Sequence, residues 1–145
     1  MSLRRKRGRI KILTFRKRDS VTISQNEVLI TDTGRAGPAI SATAEAIIGV
    51  SLDSYASDTL GEQVSVQVPT EQAVEWEIDV DASGGLVASD VLTFRDLDTL
   101  GANLDRATST DDVLFVTGRI SATLGEVSLA KTVWNSPSHS LFVSS

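Results

Sequence analysis

The residues best equipped for chemistry in this chain are its acids, and their spacing decides what they can do. Asp79 and Asp81 stand two positions apart, and Asp111 and Asp112 are adjacent. In an extended segment alternate side chains share a side. Glu75, Glu77, Asp79 and Asp81 therefore fall on one face, opposite Trp76, Ile78 and Val80. That arrangement reads as a solvated polar face over an apolar one, not as a general acid–base pair. The run from Asp79 to Gly85 begins like a calcium loop. Its twelfth position, where a bidentate Glu is needed, is Asp90, and the flanking helical patterns are missing. No metal site is expected.

Nucleophilic chemistry has little to work with. Cysteine is absent, which excludes thiol catalysis and disulfides, and a single histidine, His139, removes most zinc arrangements as well. His139 lies in a Ser-Pro-Ser-His-Ser stretch that reads as surface, a poor platform for a catalytic triad. Neither the Walker pattern nor the dinucleotide-binding glycine pattern occurs. The expectation is a non-enzyme with no cofactor.

Charge is the stronger signal. Residues 1–18 hold Arg4, Arg5, Lys6, Arg7, Arg9, Lys11, Arg16, Lys17 and Arg18 with no acid among them, while the remainder carries all 19 acids against 5 cations. A block of +9 beside a block of −14 points to an interaction arm. Ile10, Ile12, Leu13 and Phe15 thread the cations. The alternation of Ile10 and Ile12 suits a short extended segment laid on a surface, either this chain's own acidic body or a neighbour's. A basic cluster is also the footprint of phosphate binding, and the acidic body would confine nucleic acid to the arm. The sequence divides into a basic arm over 1–20, a body over 21–133 and a C-terminal tail over 134–145, with Trp134, Leu141 and Phe142 as possible anchors on a neighbour.

The elements that must position these groups read as short strands. Val21, Ile23, Val28 and Ile30 alternate about Gln25–Glu27, residues 63–68 alternate without a fault, and residues 74–80 do the same. Residues 91–94 and 113–120 are further strand candidates, rich in β-branched and aromatic residues. Residues 39–48 and 53–60 could carry a turn or two of helix. The fold class is mostly β, a small barrel or sandwich with an extended basic N-terminal arm. One core suffices for 145 residues. No apolar run approaches the ~20 residues of a membrane span, and the basic start lacks the apolar stretch of a secretory signal. Thr59–Glu62 and Thr123–Glu126 are identical tetrapeptides, so a weak duplication is expected, with units over 36–68 and 87–131.

The stretches 36–68 and 87–127 resemble the small capsid decoration, or cement, proteins of tailed bacteriophages. The likeness lies in Ile47-Ile48-Gly49-Val50, in Gly61-Glu62-Gln63-Val64 and in the Ala107-Thr108-Ser109 step. The resemblance implies a β-barrel-like body, often trimeric, on the outer surface of a head, made in the host cytoplasm and clamping the major capsid protein. The arm residues would then bind the capsid. The alternatives are another virion component (tail-tube, head-completion or fibre-base protein) or a nucleic-acid-binding module acting through the arm.

Overall fold

The computed structural model of the chain describes residues 3–32, 34–39, 47–57, 62–70, 74–81, 85–97, 103–107, 112–130 and 132. In chain order the strands are β1 (Arg4–Arg7), β2 (Ile10–Arg16), β3 (Val28–Asp32), β4 (Arg35–Pro38), β5 (Ile47–Ser51), β6 (Gln63–Pro69), β7 (Glu75–Asp79), β8 (Phe94–Leu97), β9 (Leu104–Asp105), β10 (Leu114–Ser121) and β11 (Leu124–Leu129). They form two antiparallel sheets, one ordered β1-β7-β11-β10-β8-β9 and the other β2-β6-β5-β3-β4. The expected mostly-β sandwich is present.

Alternation explains the layering. On β7, Trp76 and Ile78 are buried while Glu75, Glu77 and Asp79 are half-buried on the opposite face. Trp76 and Ile78 join Val116, Val127, Val28, Ile47 and Val50 in the main core, which draws on both sheets. The five-stranded sheet is apolar on its second face too. There Leu29, Ile48, Val64, Val66 and Val68 form a separate cluster with Leu13, Phe15 and Tyr55 packed against it. A sheet with two apolar faces must cover both, and this one curls. The residue after β2, Lys17, bridges Ala36 of β4, and the Arg18 N–H donates to the Ala36 carbonyl at 2.9 Å. That contact is a single bridge and does not extend into a pairing of β2 with β4, so the sheet stays open and no closed barrel forms.

The first seventeen residues are where the expected organisation changes most. Over its described residues the segment does not stand apart from the body as an arm: β1 pairs with β7 in one sheet, and β2 pairs with β6 through seven consecutive residues in the other. Gly8 turns the chain between them at φ +97°, and a Cβ there would lie 2.7 Å from the Val74 Cα, so both the turn and the close approach require glycine. A boundary at residue 20 therefore separates no structural units.

Other expectations shift as well. Of the two possible helical stretches, Ile47–Ser51 is strand and Tyr55 forms a single bridge with Ile23. Residues 40–46 and 58–60 lie outside the described residues. The strand expected over 91–94 starts only at Phe94, because Ala88–Asp90 forms a 3-10 turn and Leu92 takes φ 67°. The suspected repeat pairs β5 with β6 and β10 with β11, both antiparallel. The pairs lie in different sheets and are joined by connections of different length, and antiparallel pairing of neighbours is too general to establish a duplication.

Candidate partner-binding surface

The two basic strands meet very different surroundings. In β1 the pairing places Arg4 opposite Glu77, Arg5 opposite Trp76 and Arg7 opposite Glu75, with an irregularity between Arg5 and Arg7. Strict alternation would turn Arg5 and Arg7 to the same side. The extra residue at this bulge resets the phase, so that Arg7 joins Arg4 and Lys6 on the acidic face.

On that face Arg4 Nη2 lies 3.9 Å from Glu77 Oε1 and 3.8 Å from Asp79 Oδ1. Arg7 Nε lies 2.8 Å from Glu75 Oε2, and Lys6 Nζ donates to Glu126 Oε2. Glu126 stands directly opposite Glu77 across β11 and β7, a like-charge pairing that costs stability unless neutralised. Gly118 makes room for it, since a Cβ there would fall 2.3 Å from Glu126 Oε1. The acids expected as a solvated face are thus the cradle of β1.

Strand β2 is the terminal strand of its sheet. Leu13 and Phe15 turn to the second core and Ile10 packs against the main one. Ile12, opposite Gln67, is 46% exposed, and Lys11, Thr14 and Arg16 are exposed. Three of the four apolar residues expected to dock on a partner are therefore engaged within the chain. Lys17 is too: it is fully buried, and its Nζ donates to the carbonyls of Arg18 at 2.9 Å and Val21 at 3.0 Å. The stem of Arg18 lies over Gly37, whose missing side chain leaves the space. Arg5 Nη1 reaches the Gly8 carbonyl at 3.4 Å, and the Arg9 carbonyl accepts from Thr70 N–H and Oγ1. Trp134, Leu141, Phe142, His139 and Asp111 lie outside the described residues.

Two features were not foreseen from the residues alone. Asp90, considered only as the end of a calcium loop, is a buried hub. Its Oδ2 accepts from Val87 N–H at 2.8 Å and Arg106 Nε at 2.9 Å, and its Oδ1 from Arg95 Nη2 at 3.2 Å. Burial pushes its carboxyl up, but these donors outweigh burial and hold it below its ordinary value. With both oxygens so engaged, it is not offered to a cation. The second feature is the segment that Asp90 holds. Leu92 is 70% exposed at φ 67°, a left-handed conformation that costs a non-glycine residue roughly 1–2 kcal/mol. The β-branched and aromatic residues over 91–94 signalled a strand, and nothing in them marked the turn.

Among the described residues no group of three or more His, Cys, Asp and Glu is placed to hold a metal ion, and no helix is long and apolar enough to cross a membrane. No protein-family model matches the chain, and no curated protein matches its sequence.

Proposed function

We propose that this chain is a non-catalytic virion structural protein, a head decoration protein that binds and stabilises the shell of the major capsid protein, and that β2 is the element that touches the shell. The observation that carries the reading is the contrast in the basic segment. Arg4, Lys6 and Arg7 face carboxylates of the same chain, whereas Lys11, Ile12 and Arg16 are exposed along the terminal strand of a curled sheet. A strand at a sheet edge can add main-chain hydrogen bonds to an extended segment of a partner. Cations along it favour an acidic partner and disfavour pairing with a second copy of itself. The resemblance to decoration proteins supplies the partner class. Nucleic acid is the weaker reading, because Arg4, Lys6, Arg7 and Lys17 are among the cations engaged inside the chain.

Mixing purified protein with undecorated heads tests this. Binding should saturate at many copies over the shell, and the exposed-site variant Lys11→Glu/Arg16→Glu should lose it while keeping the circular-dichroism spectrum of the parent. Binding untouched by that variant removes β2 from the mechanism, and a single ring of copies assigns the protein to a connector or tail. Deleting residues 1–18 is not a usable test, since it would take a strand from each sheet.

A further inference from the structure

The backbone of β2 turns one set of its polar groups to β6 and the other away from the sheet. Lys17 N–H donates to the Glu62 carbonyl at 2.8 Å, and the Arg9 carbonyl accepts from Thr70 N–H at 3.2 Å. Opposite residues of an antiparallel pair alternate between bonded and non-bonded. With Ile10 opposite Pro69 and Arg16 opposite Gln63, the residues bonded to β6 are therefore 9, 11, 13, 15 and 17. Ile10, Ile12, Thr14 and Arg16 point their N–H and C=O groups off the edge. Pro69, which has no N–H to give, stands opposite one of them.

Only the far end of this edge is occupied. Lys17 bridges Ala36 in parallel, and β4 begins one residue earlier, at Arg35. The residues of β2 ahead of Arg16 therefore run past the start of β4, and among the described residues no strand pairs with them on that side. Ile12 is 46% exposed, and Lys11, Thr14 and Arg16 are exposed beside it. An edge with unpaired N–H and C=O groups is a template for a further strand. Lys11 and Arg16 stand at its two ends, an odd number of residues apart, so their side chains leave opposite faces of the pleat, about 17 Å apart along the strand.

We infer that β2 takes up an extended acidic segment of the shell protein as an added edge strand. The main chain of that segment bonds to Ile12 and Thr14, and two of its carboxylates, spaced like Lys11 and Arg16 and on opposite faces, pair with those cations. Between them it sets apolar side chains beside Ile12 on one face and Leu13 on the other, as cross-strand neighbours do. Leu13 is only half-buried on the second core, so such a neighbour extends that core. Charge selects the occupant. A second copy of β2 would bring four cations onto one short ladder, and like charges across a ladder are destabilising. The acids of this chain's own β7 and β11 are already taken by Arg4, Lys6 and Arg7. The inference rests on the capsid reading and adds to it the partner's chemistry and the backbone groups that hold it.

Undecorated heads and amide hydrogen exchange test it together on the full chain. In the free protein the amides of Ile12 and Thr14 should exchange fast and that of Leu13 slowly; on heads, Ile12 and Thr14 should become protected. Thr14→Pro removes one outward donor while leaving the bonds to β6 and both cations, since an edge strand accepts proline where the N–H faces out. It should weaken binding roughly ten-fold, whereas Thr14→Val, which keeps the N–H, should bind like the parent. Loss of binding in Lys11→Glu/Arg16→Glu beside full binding in Thr14→Pro means that β2 meets the shell by side chains alone: the inference falls and the capsid reading stands. A parent chain that does not bind heads takes both down. Ile12 and Thr14 amides already protected in the free chain assign the edge to another segment of the same chain and overturn the inference. If Thr14→Pro does not fold, the bound parent decides, and unprotected Ile12 and Thr14 amides on heads overturn it.

Discussion

Strands β1 and β2 are near neighbours in sequence and both carry cations, all four residues of β1 and two of the seven in β2, yet one closes its charges inward and the other leaves them outward. The difference lies in what stands across from each. β1 lies against β7 and close to β11, whose outer-facing positions are Glu75, Glu77, Asp79 and Glu126. β2 lies against β6, whose residues opposite Ile10–Arg16 carry no charge. Cations opposite carboxylates become part of the fold, and cations opposite neutral residues stay available. A block of basic residues is therefore no single site: the register turns the cations of β1 to carboxylates, while Lys11 and Arg16 of β2 stay exposed.

The comparison breaks first at Leu3. It precedes β1, is fully buried in the main core, and donates its N–H to the Asn26 carbonyl at 2.9 Å. If this apolar anchor and not the ion pairs holds β1 in place, Leu3→Ala should cost about 2–5 kcal/mol in urea unfolding, with loss of amide protection confined first to residues 4–7. A cost near zero would mean that charge alone holds the strand.

The ion pairs come next. Lys6 and Glu126 are 31% and 16% exposed at their side chains, so solvent screens them in part. A double-mutant cycle on the two should give a coupling of about 0.5–1 kcal/mol that fades toward 1 M salt, where the screening length is about 3 Å. The same salt series on Lys11→Glu/Arg16→Glu should show no change in stability relative to the parent. Coupling that persists at high salt would place the pair in a drier setting than the exposures indicate.

How far the sequence could be read follows from the same contrast. The period-two patterns over 63–68 and 74–80 reveal β6 and β7 and the inward face of Trp76, because burial on one face writes itself into alternate residues. The segment 10–15 also announces an extended strand. What it cannot announce is the partner strand, since pairing of residues 10–16 with 63–69 is a long-range choice made by packing of Leu13 and Phe15 on Val66 and Val64. The bulge in β1 is equally silent, because four consecutive cations carry no periodicity from which a phase reset could be read. Asp90 was visible as an acid but not as a hub, for its partners Arg95 and Arg106 come from β8 and the segment after β9, brought together only by the fold. The exposure of Leu92 contradicts its apolar neighbours in sequence and is legible only from the turn.

The smallest effect sharpens how β1 is tethered. Glu27 lies in the turn beside the Asn26 carbonyl that accepts from Leu3, and its Oε1 accepts from Ser24 N–H at 2.9 Å. Burial raises its carboxyl above the ordinary value despite that hydrogen bond. A carboxyl with a raised folded pKa binds its proton more tightly in the native state than in the unfolded one. The stability this supplies is complete below the unfolded value of about 4.3 and is lost as pH rises through the raised folded value. Asp90 has the opposite sign: its contribution is present above the unfolded value and lost on acidification. The two are separable by substitution. Glu27→Gln keeps an acceptor for Ser24 without a titrating group, so it should be more stable than the parent near neutral pH, with the gap closing as pH falls below the unfolded value. Urea midpoints of both proteins across this range decide it, and a gap that widens on acidification would mean that Glu27 supports the turn as a carboxylate, making its charge part of what fixes β1.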